Sequence, residues 1–401
     1  MQKFKLTNGM TVLHEERGSE SNSVALQILV KVGSNDENPK ERGIAHFIEH
    51  LLFMGTKNRT PHEIVKAIEK VGGEFNAATT NDHTYYYAVV PKKHFNIALE
   101  ILSDMIKNAT FEDKYIGKER SVVFDEINMV LDDPKSYQWV LLEEKLFEKF
   151  PAKFPVYGSK ETLKNVRRKE LLNFYRKYYI PSNMIISVVG RVKDLRLELE
   201  NKFRNFNGNS AFNRPIYNEK PVKDNILWKK ELPTEQSYMT MAFRAVNRNH
   251  KDSYALDILE TILGKGQSSR LFDQIRVKRG LAYTIAAYNN CHRDYGYFAI
   301  SLATNKKNIE NCKKLIFKEL KLKKLSFKEL ADAKQAIEGN FLLKKESTRD
   351  AAEINSFWNL SGGNSADYIK KIAKTTLEDV KKAAKTYFSQ KHVMVVMEQK
   401  A

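Results

Sequence analysis

The sequence predicts an α+β protein made of two homologous α/β units of about 200 residues each, and three observations predict it. A chain of 401 residues is too long for one ordinary domain of ~100–200 residues and comfortable for two. The first half closes on a helix, a turn and a strand: Leu171–Tyr179, Pro181-Ser-Asn and Met184–Gly190. The second half closes the same way, on Val380–Phe388, Ser389-Gln-Lys-His and Val393–Met397, with Tyr178 and Tyr387 equivalent at an offset of 209 residues, the signature of an internal duplication. Between the halves, from Phe203 to Asn225, composition shifts to Asn, Gly, Ser and Pro, with Gly208, Pro215 and Pro221 as punctuation. The expected boundaries are therefore 1–202 for an N-terminal unit, 203–226 for a linker and 227–401 for a C-terminal unit.

Within the first half, Ser23–Gly33 is apolar and largely alternating, which reads as a strand. A helix-period block runs from about Glu41 to Met54, and Pro61 opens a second helix at the position proline tolerates best. Gly72-Gly73 ends that helix near Val71, and the aromatic, β-branched run from Thr84 to Val90 resumes a strand. Helices follow at Phe95–Ile106, Glu112–Val130 and Tyr137–Phe150. In the second half a strand at Gln236–Arg244 leads into a helix at Ser253–Leu263, and long helices occupy Lys306–Lys345.

Composition excludes several classes. A hydrophobic share of 42% and an aromatic share of 11% supply real cores and exclude a disordered chain. With Cys291 and Cys312 as the only cysteines, neither a disulfide framework nor an all-cysteine zinc site is possible, and a reducing compartment is suited. No apolar run approaches the ~18–20 residues of a membrane span, and residues 1–9 carry neither an apolar signal core nor an Arg-rich presequence. The expectation is a soluble, cytoplasmic protein without a membrane partner. A net charge of +18 invites nucleic acid as a partner. The lysines of the 306–345 region, however, alternate with Glu and Leu at helix spacing, as on a solvated helix face. No nucleic-acid signature accompanies them.

The chemistry concentrates in Ala45-His-Phe-Ile-Glu-His-Leu-Leu-Phe. At ~100° per residue, His46, Glu49 and His50 share about 100° of one helix face. Their neighbours Ile44, Phe47, Ile48, Leu51, Leu52 and Phe53 are apolar nearly all round, so the helix should be buried. Unpaired, two imidazoles and a carboxylate there would cost several kcal/mol each, on the order of the penalty for any buried polar group. A metal ion resolves that cost: neutral imidazole is a good zinc ligand, and the carboxylate can serve the metal-bound water. A zinc centre of this kind needs a third ligand and an open fourth position. In the helix from Glu112, Glu119 and Glu126 lie seven residues apart on one stripe with Val122 and Val123 between them. Taken alone, such a pair also fits a solvated helix surface.

The inverted motif His46-x-x-Glu49-His50 resembles that of the M16 metallopeptidases, the family of pitrilysin, insulin-degrading enzyme and the mitochondrial processing peptidases. The wording of Gly43–Thr56 is close to the family's throughout. The likeness covers nearly the whole chain, whose length suits the short, two-domain M16B type. It implies a duplicated LuxS/MPP-like metallohydrolase fold, each unit a mostly antiparallel sheet packed with helices. It also implies that the third ligand, about 76 residues after the second histidine, is Glu126, and that Glu119 matches a further important glutamate. Gly73-Glu-Phe-Asn-Ala-Ala-Thr resembles the family's active-site edge strand, where Asn76 and Ala77 would hold substrate backbone by strand addition. Ser268–Tyr283 resembles its C-terminal signature, whose arginine and tyrosine, seven apart, fall on Arg276 and Tyr283. That pair would steady the oxyanion.

The expected function is a zinc-dependent endopeptidase acting on unfolded peptides or processing segments in an enclosed chamber, with one Zn2+ per chain held by His46, His50 and Glu126, Glu49 as general base, and a homodimer as the assembly. The second half has no His-x-x-Glu-His pattern at the duplicated positions, so it should carry no metal. Two rivals remain: a non-catalytic family relative acting as an assembly or docking subunit, and a basic nucleic-acid-binding protein.

Overall fold

The computed structural model describes residues 1–208 and 214–400. In chain order the first stretch forms β1 (Gln2–Lys5), β2 (Thr11–Glu15), β3 (Ser23–Val30), α1 (Ile44–Leu52), α2 (Pro61–Glu69), β4 (Glu74–Thr79) and β5 (Thr84–Pro91). Then come α3 (Phe95–Asn108), α4 (Asp113–Asp132), α5 (Pro134–Leu146), α6 (Lys160–Leu163), α7 (Arg168–Tyr178), β6 (Met184–Val189) and α8 (Leu195–Phe203). The second stretch forms β7 (Ile226–Leu232), β8 (Ser237–Ala245), α9 (Ser253–Gly264), a π-helical turn (Phe272–Val277), β9 (Ala282–Cys291) and β10 (Gly296–Thr304). It ends with α10 (Ile309–Leu320), α11 (Phe327–Glu346), α12 (Thr348–Leu360), α13 (Tyr368–Lys374), α14 (Leu377–Phe388) and β11 (Val393–Gln399). Of the expected 203–226 linker, residues 209–213 lie outside the described residues; its described part holds no helix or strand between Phe203 and Ile226.

Two sheets result. The first has the order β1-β2-β6-β3-β5-β4 and the second β7-β11-β8-β10-β9. In each, a single pair is parallel, β2 with β6 and β7 with β11, and every other pair is antiparallel. Leaving aside β1, the second sheet repeats the first strand for strand: the duplication expected from the repeated helix-turn-strand endings, in the mostly antiparallel sheets that the resemblance implies.

The compact units are not contiguous in sequence. One comprises 1–128, 154–216 and 343–360; the other comprises 129–153, 217–342 and 361–401. The physical cause lies in the central strands. Val24–Val30 of β3 and all of β6 are buried, so both faces of the first sheet need apolar cover. Its inner face packs on α1, α2, α3 and α7, through Phe47, Ile48, Leu51, Ile64, Leu99 and Phe174. Its other face is covered by α12, from the second half of the sequence: Leu360 packs on Leu13, Leu29 and Ile185, and Ala351 and Ala352 pack on Ala25 and Val189. Reciprocally, α5 of the first half lays Leu141, Leu142 and Leu146 against Ala242, Ala299 and Val395 of the second sheet. The exchanged helices α5 and α12 match in length at 13 residues each, and so do α4 and α11, the helices that lead into them, at 20 residues each.

Most expected helices appear within a few residues of their expected ends. The helix expected at Tyr137–Phe150 instead begins at Pro134, because Asp133 accepts from the amides of Lys135 and Ser136 and proline occupies the first turn. No helix is long and apolar enough to cross a membrane among the described residues.

Candidate metal centre

Helix α1 starts at Gly43, whose φ of +91° is left-handed. A Cβ there would approach the Tyr157 carbonyl oxygen to 2.5 Å, so only glycine fits. The helix buries Ile44, Ala45, Phe47, Ile48, Leu51 and Leu52, leaving His46, Glu49 and His50 on its half-buried face. The two imidazoles meet edge to face, with ring centroids 4.7 Å apart. From the neighbouring α4, Glu126 Oε2 comes within 3.6 Å of His46 Nε2 and 3.5 Å of His50 Nε2. One donor atom from each of the three residues lies within 4.8 Å of the others. Atoms ~2.0–2.1 Å from a tetrahedral zinc lie about 3.3–3.4 Å from one another, so the two imidazole–carboxylate separations fit such an ion. His46, His50 and Glu126 could therefore hold one metal ion, with borderline nitrogen and hard oxygen donors of the kind zinc accepts.

The electrostatics favour ligation. Burial depresses the His46 pKa to about 3, and neighbouring His50 adds to the effect, so the ring is neutral with a lone pair available. Glu119, buried two turns earlier on α4, places Oε2 3.4 Å from His50 Nδ1. An Nδ1–H donated to Glu119 selects the tautomer that turns a bare Nε2 toward Glu126. Substituting Glu119 by Gln should therefore weaken metal affinity ~10–100-fold, read by competition against a chelator; an unchanged affinity would remove this role.

Glu49 is held by the neighbouring strand rather than by the three converging donors. Its Oε2 accepts a 2.6 Å hydrogen bond from Thr79 Oγ1 at the end of β4. Burial raises the Glu49 pKa and Glu126 pushes it further up, outweighing Thr79 and His50. A carboxylate so placed is a stronger base than one in water. Thr79 carried no signal in the sequence, because a threonine closing a strand has no spacing relation to a helix 30 residues away.

β4 is the end strand of its sheet and pairs only with β5 among the described residues. Asn76 is exposed and Ala77 half-buried on it, and the Ala77 amide donates to Asn76 Oδ1 at 2.8 Å. Arg276 and Tyr283 lie in the other unit. The guanidinium of Arg276, on the π-helical turn, stands 5.2 Å from the ring centroid of Tyr283 on β9, and both side chains are exposed. The duplicate of α1, helix α9, carries Ala255, Ile258 and Leu259 at the positions of the two histidines and Glu49, all buried in its core.

Comparisons with known proteins show what the chain is similar to. Residues 12–160 match the model of the family described as Insulinase (Peptidase family M16), and residues 165–337 match that described as Peptidase M16 inactive domain. The uncharacterized zinc protease YmxG of Bacillus subtilis is 30% identical over 405 residues, covering 99% of this chain and 98% of its own. An uncharacterized zinc protease of Rickettsia felis is 33% identical over 358 residues, 87% of this chain and 85% of its own. Among solved structures, a protease from Helicobacter pylori superposes with a TM-score of 0.93 at 23% identity, over 99% of both chains. A structure described as a peptidase M16 inactive domain from Pseudomonas fluorescens superposes at 0.89 with 21% identity, over 100% of this chain and 98% of that one. At these identities the two structures speak for the fold.

Proposed function

The chain belongs to peptidase family M16, and from that premise we propose that it is a zinc-dependent endopeptidase that hydrolyses unfolded peptides or processing segments. One observation carries the reading: two imidazoles of α1 and a carboxylate of α4 converge, donor atoms within 4.8 Å, beside the half-buried Glu49.

His46 and His50 through Nε2, and Glu126 through Oε2, would hold one Zn2+ per chain. Bound there, zinc supplies Lewis acidity toward water and the scissile carbonyl. Glu49 does the proton work. Thr79 occupies its Oε2, which leaves Oε1 to take a proton from the attacking water and deliver it to the departing amine. The open edge of β4 orients an extended peptide, with Asn76 and Ala77 holding its backbone. The enclosure that the family likeness implies would admit unfolded chains and spare folded proteins. On the family likeness, Arg276 and Tyr283 would donate to the oxygen on which charge develops. Tyr283→Phe should lower kcat ~10²–10³-fold with metal content unchanged; an unaltered rate would take Tyr283 out of the reaction. An enclosed chamber, a homodimer and a cytoplasmic location complete the proposal, on the family likeness and on the sequence.

Metal analysis of the purified protein, alongside digestion of an unstructured peptide with and without chelator, tests the reading. About one zinc per chain and chelator-sensitive cleavage are expected. Stoichiometric metal without cleavage would instead point to a non-catalytic docking subunit.

A further inference from the structure

We propose that Glu37 is the positioning residue of the metal helix: it sets the rotation and height of α1 and thereby the aim of His46, Glu49 and His50. What is aimed rests on the zinc-peptidase reading; the anchoring does not.

Helix α1 has a capping problem of its own making. The first amides of a helix need acceptors from outside it, and the usual source is a Ser, Thr, Asp or Asn at the N-cap. Here the N-cap is Gly43, with no side chain to offer, and its left-handed backbone and closeness to Tyr157 forbid one. Glu37 fills the role from a distance. Its Oε2 accepts from the Gly43 amide at 2.9 Å and its Oε1 from the Ala45 amide at 2.8 Å, while the Ile44 amide reaches the Glu41 carbonyl at 2.9 Å. Glu37 is 3% exposed, and so deep a carboxyl is costly unless it is hydrogen-bonded, as these two amides make it. A single acceptor would leave a nine-residue helix free to pivot; two oxygens gripping amides on either side of Ile44 remove that freedom. The residue after Ala45 is His46.

The anchor is itself fixed. Ser34 and Asn35 donate their amides to the carbonyls of Thr80 (3.1 Å) and Asn81 (2.9 Å), and Arg42 Nη1 donates to the Ser34 carbonyl at 2.9 Å. Arg214 bridges Asp36 (2.5 Å) and Asp82 (3.3 Å), which ties the loop before Glu37 to the turn after β4. Thr79, which holds Glu49, immediately precedes that turn. The support of the helix N-terminus and the support of the general base thus share one frame, the arrangement a site needs when a displacement of ~1 Å costs ~100-fold in rate.

The test uses Glu37→Gln. A carboxylate accepts at both oxygens; a carboxamide accepts at one and turns a donor toward the other amide. Thr60→Ala removes the cap of α2, Thr60 Oγ1 to the Glu63 amide, and serves as the control for general destabilisation. Three quantities are read: hydrogen exchange of the α1 amides in metal-free protein, zinc affinity by chelator competition, and kcat and KM on an unstructured peptide. Glu37→Gln should speed α1 exchange at least tenfold, weaken zinc at least tenfold and lower kcat at least tenfold with KM within twofold. Thr60→Ala should lower Tm and change none of the three. Glu37→Asp, whose shorter arm reaches one amide at best, should move all three in the same direction and serves if the glutamine variant does not fold. Exchange, affinity and kcat at wild-type values in the glutamine or aspartate variant, or equal losses in Thr60→Ala, would overturn the proposal. Should the wild type bind no zinc, the peptidase reading fails while the exchange comparison still decides the anchor.

Discussion

Glu49→Gln is expected to lose ~10²–10⁴-fold in kcat/KM while keeping its full complement of zinc. The substitution preserves shape, and the carboxamide oxygen can still accept from Thr79 Oγ1, as Glu49 does now. What it removes is the capacity to take a proton. Because Glu49 is not among the three converging donors, metal content and Tm should match the wild type, so the loss reads on chemistry alone. Turnover within tenfold of wild type would end the general-base assignment even with zinc in place.

Glu126→Ala should fail differently. It removes the donor from α4 and leaves two imidazoles four residues apart on α1. Zinc affinity should fall by more than the ~10–100-fold typical of losing an outer partner, and cleavage should vanish with it. The Glu126 side chain is 41% exposed, so its truncation opens no core cavity, and the Tm of the metal-free protein should stay within a few degrees of wild type. Retention of stoichiometric zinc would show that another group supplies the third ligand. The two variants separate a protein that holds metal without turning over from one that has lost the metal.

Legibility in the sequence followed the range of each interaction. Helix α1 could be read because its signals are local: an apolar surround and three polar residues at helical spacing. The convergence of Glu126 on that helix could not be derived from spacing, since any residue on an α4 stripe might have faced it; the family resemblance supplied the position. Thr79 and Glu37 were illegible for a related reason. One ends a strand and the other sits in a loop, and their partners are fixed only when β4 and the 33–37 loop fold against α1. Strands β1 and β2 escaped notice because Gln2–Lys5 and Thr11–Glu15 do not alternate apolar with polar residues. The traffic of α5 and α12 between halves was invisible as well. An amphipathic pattern announces that a helix has an apolar face, not which sheet receives it.

That traffic sets a clock on biosynthesis. When a ribosome has released residue 208, every strand of the first sheet exists, yet Leu13, Leu29, Ile185 and their neighbours have no lid until Leu360 emerges. At ~5–20 residues per second the wait is roughly 8–30 s, during which a greasy β-surface stays open to chaperones or to another nascent copy. Severed at the linker, neither half carries the helix that finishes its own sheet. Each fragment should stick to dyes such as ANS and precipitate, whereas mixing the two should restore solubility.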